Sequence, residues 1–480
     1  MQCRTFAIGL GLVTALAMLP TAYAQPADSI SEHQIPLGQG ALMGSVPGSP
    51  LGGSSIERDA HVGERFYDFN GDLSAFEPGD VIRSRTLPYH VLGVPTPLRV
   101  VQLLYKTSDA FGAPQANVTS IAIPNNFNGS MVSYHSVYDS LNPEHSPSRA
   151  IAGNVSLGTA PVWAETAFFA NLLTQGYAVA LPDIEGPEAR FAVGPEYGRV
   201  TLDSLRAAMR SGELAPDVQI AMMGYSGGSI ATSWAAAMAP EFAPDVNEHL
   251  IGAAMGGVLV APANNIKYID GSPVWAGISA MTIVGVSRSI PGFDLTPYLN
   301  DYGIRILESV NRASIAEVEG QYGGLRWVDM AKPEYQNPFS IPEFVGAVNS
   351  LNIGLQPNPS IPLQIWQSNG GIVEGTIPGE QGLGDGVMLE NDVRGLATKY
   401  CQAGVTVEYI TDPSISHTPG IAKWALVANQ WIQPRLEGKA APNNCGTYPA
   451  GTVFAPVEVE PQAQPVDPGP AQGSAALRFA

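Results

Sequence analysis

The hydrophobic pattern changes character along this 480-residue chain. From residue 98 to 139, three segments carry strand signals: "LRVVQLLYKTS", "NVTSIAIP" and "MVSYHSVYD", the first two joined by the turn "GAPQA". Helical and strand-like patterns then take turns. "ETAFFANLLTQG" spaces its apolar residues as a helix and leads into the strand-like "YAVALPDI". "VTLDSLRAAMRSG" is an amphipathic helix closed by Gly212, and "VQIAMM" is a short buried run bounded by polar residues. "LIGAAMGGVLV" is strand-like again from about Ala253. Strands alternating with helices predict an α/β protein whose mostly parallel central sheet is covered on both faces.

That rhythm breaks between 262 and 360. Apolar helices such as "WAGISAMTIVGVS" and "YGIRILESVNRASIAEVEG" intervene before the next strand, "IPLQIWQS". An insertion between two core strands predicts a large helical cap over a site. The expected organisation has core segments at 61–261 and 361–446, the cap at 262–360, and a Gly-, Pro- and Ser-rich surface segment at 25–60. Residues 447–480 form a Pro-rich tail whose composition predicts disorder. No internal repeat is present.

The first 24 residues have the organisation of an export signal: Arg4, the apolar "AIGLGLVTALAMLP", and a small-x-small cleavage site at Ala22-Tyr23-Ala24. The apolar stretch is too short to span a bilayer comfortably, so no stable membrane anchor is expected. The mature chain would be secreted or periplasmic and begin at Gln25. Composition then changes the picture in three ways. Hydrophobic residues make up 45% and charged residues 14%, which suits a well-buried globular enzyme. A net charge of −19, from 24 basic and 43 acidic residues, argues against nucleic acid as a partner. With Cys3 lost in the signal, only Cys401 and Cys445 remain, and two cysteines in an oxidising compartment most often pair. N-x-S/T sequons occur at Asn117, Asn128 and Asn154.

The candidate chemistry lies between "VQIAMM" and the small-residue stretch "IATSWAAAMAP", where the chain reads "GYSGGS". A strand entering a helix with almost no loop makes a sharp turn, flanked by glycines, that lifts one hydroxyl into open space. Gly224 to Gly228 fit the G-x-S-x-G nucleophile elbow of α/β-hydrolases, with Ser226 at the tip. The competing reading is a glycine-rich turn with an incidental serine.

A serine nucleophile needs a base, and the base needs an orienting carboxylate. In this fold they follow in the order Ser, acid, His. Of seven histidines only His249 and His417 follow Ser226. His249 sits soon after the elbow helix as a surface candidate, whereas His417 follows the last strand, where this fold delivers its base. Asp385, Asp392 and Asp412 are the acid candidates. Asp385 occupies a loop between strand and helix, the usual place for the orienting group. Asp412 precedes Pro413 as a turn residue, and Asp392 is expected to face solvent.

These stretches, with "FYDFNGDLSAFEPGDVIRSRTLP", "VVQLLYKTSDAFGAP" and "VSYHSVYDS", resemble the secretory lipase family (yeast lipase A-like) over about residues 64–446. The sharpest element is the spacing of 16 residues from Asp385 to Cys401 and 16 more to His417. The resemblance implies Ser226 as nucleophile, Asp385 as acid, His417 as base and a Cys401–Cys445 disulfide. With Gly227, the residue after the nucleophile, it places Asp139 of "YDS" in the oxyanion hole. A carboxylate there must act through its backbone N–H or be protonated; the alternative is a strand-end cap. It also implies hydrolysis of hydrophobic esters such as acylglycerols, including at a lipid–water interface. No metal or organic cofactor is implied. Rival expectations are polyester cleavage or acyl transfer on the same triad, a peptidase of the same fold, and a catalytically dead binding protein. Two departures stand out: His145 replaces a family cysteine, and about 14 extra residues, "IVEGTIPGEQGLGD", precede and include Asp385.

Overall fold

The computed structural model describes residues 64–462. The expected export signal (1–24), the surface segment (25–60) and the tail beyond 462 lie outside the described residues. Nine strands build one sheet: β1 (Val81–Val91), β2 (Val94–Ser108), β3 (Pro114–Ile123), β4 (Ser130–His135), β5 (Ala178–Pro182), β6 (Gln219–Tyr225), β7 (Leu250–Gly256), β8 (Leu363–Ser368) and β9 (Val407–Asp412). Their spatial order is β1-β2-β3-β5-β4-β6-β7-β8-β9. The first three form an antiparallel meander, β3 meets β5 antiparallel, and every neighbouring pair from β5 to β9 is parallel.

Parallel neighbours need crossovers, and helices supply them. They are α1 (Ala160–Thr174), α2 (Gly194–Arg210), α3 (Gly227–Phe242), then α4 (Pro262–Ile269), α5 (Gly277–Ser287), α6 (Asp301–Val310) and α7 (Pro342–Ser350) between β7 and β8, and finally α8 (Glu390–Gln402) and α9 (His417–Leu436). The period of two along β6 feeds both faces of the sheet. Ala221, Met223 and Tyr225 join a cluster with Phe169 of α1 and Trp424 and Trp431 of α9. Ile220 and Met222 join another with Leu205 of α2 and Trp234 of α3. Burial on both faces is why this strand is a continuous apolar run.

Of the helices inserted between β7 and β8, α4 gives Tyr268 and Ile269 to a small cluster with Trp275, Val387, Met388 and Leu389, while much of the rest joins the main core. Ala280 and Val284 of α5 and Phe344 and Val348 of α7 belong to the same contiguous cluster as Ile220 and Leu205. These helices therefore pack largely as an extension of the sheet's interior.

Two expectations are corrected. The Pro-rich tail is laid against the protein from 447 to about 460 and is not disordered there. Thr452 N–H donates to the Asn391 carbonyl, Val457 N–H to Asn349 Oδ1, and Glu460 N–H to the Phe339 carbonyl. Gly395 and Gly354 make room, since a Cβ on either would meet Thr452 O at 2.3 Å or the Phe454 ring at 2.4 Å. Composition forbids this segment a core of its own, but an extended chain can borrow partners from a finished surface. Asp392, expected at solvent, is buried for the same reason and accepts hydrogen bonds from Asn264 and from Thr452 of the tail. Cys401, near the end of α8, is bonded to Cys445, with Cα atoms 5.6 Å apart, which starts the tail on its path. Of the three sequons only Asn128 is exposed; Asn117 and Asn154 are buried. Among the described residues no helix is long and apolar enough to cross a membrane.

Candidate active site

Ser226 stands between β6 and α3 with φ 51° and ψ −122°, a conformation that is costly for a non-glycine residue. The surrounding glycines make it accessible. A Cβ on Gly224 would lie 2.2 Å from the Gly228 carbonyl oxygen, so the strand end and the helix start touch backbone to backbone. The elbow presents Oγ to a base from the far end of the chain: the Ser226 Oγ–His417 Nε2 distance is 2.7 Å. On its other side, His417 Nδ1 lies 2.8 Å from Asp385 Oδ2.

Asp385 is fully buried and well supplied with donors. Its Oδ1 accepts from the backbone N–H groups of Val387 (3.0 Å) and Met388 (2.7 Å), and its Oδ2 from Gln367 Nε2 (2.9 Å) as well as from the imidazole. With Nδ1–H donating to the carboxylate, Nε2 is left free to accept the serine proton. Burial pulls the His417 pKa down, but the charge and hydrogen bond of Asp385, joined by Glu374 and Glu319, hold it above its ordinary value. Asp392 and Asp412 stand apart from this chain of contacts. Asp412 accepts from Ser414 N–H and pairs with Lys423. His249 hydrogen-bonds the Val218 carbonyl.

Gly227 begins α3, so its N–H is among those a helix N-terminus leaves without an intrahelical acceptor. Asp139 faces it closely: a Cβ on Gly227 would fall 1.7 Å from Asp139 Oδ1. Asp139 has φ 28°, is 5% exposed, and its Oδ1 has no hydrogen-bond partner among the described residues. Burial pushes its carboxyl up to about 7, against the pull of the His417 charge. The loop that carries it is clamped from several sides. Ser136 Oγ and Val137 N–H donate to Glu165, Ser140 N–H donates to Glu185, and Ile315 N–H of the cap donates to the Asp139 carbonyl. His145 hydrogen-bonds Ser140 Oγ at 2.8 Å and so ties the same loop.

This arrangement can activate a hydroxyl, stabilise an imidazolium and offer an N–H to a developing oxyanion. Among the described residues no group of three His, Cys, Asp or Glu side chains is placed to hold a metal ion. A model of the family described as secretory lipase matches residues 152–444, more than half of the chain. The chain belongs to the secretory lipase family. Lipase 4 of Candida albicans is 30% identical over 393 residues that cover 79% of this chain and 82% of that protein. Lipase A of Arthroderma benhamiae is 29% identical over 463 residues, covering 92% and 90%. Among solved structures, Candida antarctica lipase A in its closed state superposes with a TM-score of 0.71 at 23% identity, covering 83% of this chain and 90% of that one. At that identity the likeness is one of fold, an α/β-hydrolase. This secretory lipase is a carboxylic ester hydrolase for hydrophobic esters.

Several residues of the site escaped sequence reasoning. Tyr225, the variable position of the elbow motif, donates its hydroxyl to the His417 carbonyl (2.9 Å), and its ring centroid lies 5.1 Å from that of the imidazole. Gln367 shares the buried strand "LQIWQS" with two other polar residues, Gln364 and Ser368, so nothing local marked it out. Glu374 from the segment after β8, and Glu319 and Trp275 from the segment between β7 and β8, come close to His417 with no local signal. A cleft among the helices between β7 and β8 is lined by Ala276, Ser279, Ile283 and Val286, one face of α5 and the residue before it, and by Met330 and Phe344. Neither Ser226, His417 nor Asp385 lines it.

Proposed function

We propose that this secretory lipase is an exported serine hydrolase in which Ser226 is the nucleophile, His417 the general base and Asp385 its orienting acid, with Gly227 and Asp139 forming the oxyanion hole. The observation that carries the reading is the continuous chain of two short contacts from Ser226 Oγ through His417 to Asp385. His417 Nε2 takes the hydroxyl proton as Oγ attacks the ester carbonyl carbon. The resulting oxyanion meets the Gly227 N–H and Asp139, whose carboxyl donates when protonated. The imidazolium returns its proton to the leaving alkoxide, the alcohol departs, and an acyl-enzyme remains. Water, deprotonated by His417, then releases the acid.

Substrates are acylglycerols or other esters with hydrophobic acyl groups, taken from a lipid–water interface. Supporting the interface are Ile372, Val373, Ile377 and Leu383, all exposed on the insertion whose other residues contact the acid and base loops. Export fits a family described as secretory and the N-terminal pattern of residues 1–24. The test is Ser226→Ala: the folded variant should lose p-nitrophenyl ester hydrolysis by several orders of magnitude. Activity within about tenfold of wild type would remove the reading.

A further inference from the structure

The insertion before Asp385 inverts the usual patterning of a surface turn. In Gly371–Glu374, Ile372 and Val373 are 67% and 74% exposed, while Glu374 is 8% exposed. A carboxylate turned inward while its apolar neighbours face water costs free energy unless it has partners. Glu374 has them. Its Oε1 accepts from Thr418 N–H at 2.9 Å, in the first turn of the helix that His417 begins. Its Oε2 accepts from the Trp275 indole N–H at 2.8 Å, and the Trp275 ring stands edge-on to the imidazole with centroids 5.3 Å apart. The same insertion is tied to the acid loop, where Gly371 N–H donates to the Gly384 carbonyl and Thr376 Oγ1 to the Gly386 carbonyl.

We propose that Glu374 is a positioning residue for His417: ionised, it anchors the start of α9 through Thr418 and adds a second negative charge that stabilises the imidazolium formed as Ser226 attacks. This rests on the triad reading above. The charged groups facing His417 are Asp385 from the acid loop, Glu374 from the insertion, Glu319 from the cap and Asp139 from the loop after β4, with the Tyr225 phenol from β6. Asp385 alone contacts the imidazole through a hydrogen bond to Nδ1. Glu374 acts through charge and through the backbone that carries the ring. Burial raises the Glu374 pKa, while the His417 charge and the N–H and O–H groups of Thr418, Ser416 and Trp275 favour its ionised form. Glu319 accepts from Thr418 Oγ1 at 3.2 Å and completes the acidic wall.

The experiment is the pH dependence of kcat/KM for a soluble short-chain ester, with Ser226→Ala and His417→Ala alongside. Removing a negative charge near an imidazolium makes it easier to deprotonate, so Glu374→Gln should move the acidic limb down by about half to one pH unit. Its kcat should fall about tenfold while KM stays within about twofold. Glu374→Asp keeps the charge with a shorter reach, and it should lose kcat while leaving the limb at its wild-type pH. Trp275→Phe removes a donor that favours the ionised Glu374; it should move the limb the same way by less, and it carries the test if Glu374→Gln does not fold. A limb unmoved in both Glu374→Gln and Trp275→Phe would overturn the proposal while the triad stood. Wild-type activity in Ser226→Ala or His417→Ala would instead bring down the triad reading, and this inference with it.

Discussion

Asp139, after β4, and Asp385, after β8, are the same residue type, both buried beside the Ser226–His417 pair, and they are held in opposite ways. Asp385 accepts from two backbone N–H groups, a glutamine amide and the imidazole. Asp139 Oδ1 has no hydrogen-bond partner among the described residues, and burial pushes that carboxyl up to about 7. At Asp139 desolvation goes unopposed at Oδ1, where a hydrogen bond would have favoured the charged form. A carboxylate surrounded by donors suits the task of orienting an imidazolium. A carboxyl that retains its proton can donate to an oxyanion. The difference shows that two aspartates close to one imidazole can be given unlike surroundings by the N–H groups that neighbouring loops bring to them.

The largest test of this contrast is Asp385→Asn. It keeps the shape but removes the acceptor for Nδ1–H, and kcat should fall at least about a hundredfold. Asp412→Asn, whose carboxylate serves Lys423 and the Ser414 turn, should stay within about tenfold. If Asp412→Asn were the crippled variant, the acid assignment would be wrong while Ser226 and His417 stood.

A smaller effect is expected at Asp139, and its sign follows from the raised pKa. Below about pH 7 the carboxyl is protonated and can donate; above it, a negative charge would face the oxyanion. The wild-type kcat/KM should therefore decline as pH rises through that range. Asp139→Asn, neutral at every pH, should keep activity within about tenfold at pH 6 and lose that alkaline decline. An unchanged alkaline limb would mean that Asp139 serves only through its backbone.

The smallest effect concerns the cap, where no charge is at stake. Ile283 lies on the face of α5 that lines the cap cleft. Ile283→Trp should change the ratio of long- to short-chain ester turnover several-fold with little change in the short-ester rate. A lowered melting temperature with an unchanged ratio would assign that face to packing alone.

Much of the candidate site was legible because its signals are local. The elbow needs strand, tight turn and helix in about 20 consecutive residues, and the glycines of "GYSGGS" are where backbones touch. His417 could be singled out as the candidate base because the loop after the last strand has a fixed place in the fold. The alternation of strands and helices showed a parallel sheet for the same reason, since each crossover repeats one local pattern. What only the tertiary structure decided is how distant segments meet. The tail from 447 is Pro-rich and coreless by composition, yet Asn349, Asn391 and Asp392 give it partners. Asp392 looked solvated on its own helix and is covered by that tail. Glu374 sits in an insertion of no recognisable pattern and becomes a neighbour of His417 only when cap, acid loop and α9 converge. Patterning along a chain reports which face of an element is apolar; whether a buried polar group is satisfied depends on donors brought from elsewhere, and only the folded chain supplies them.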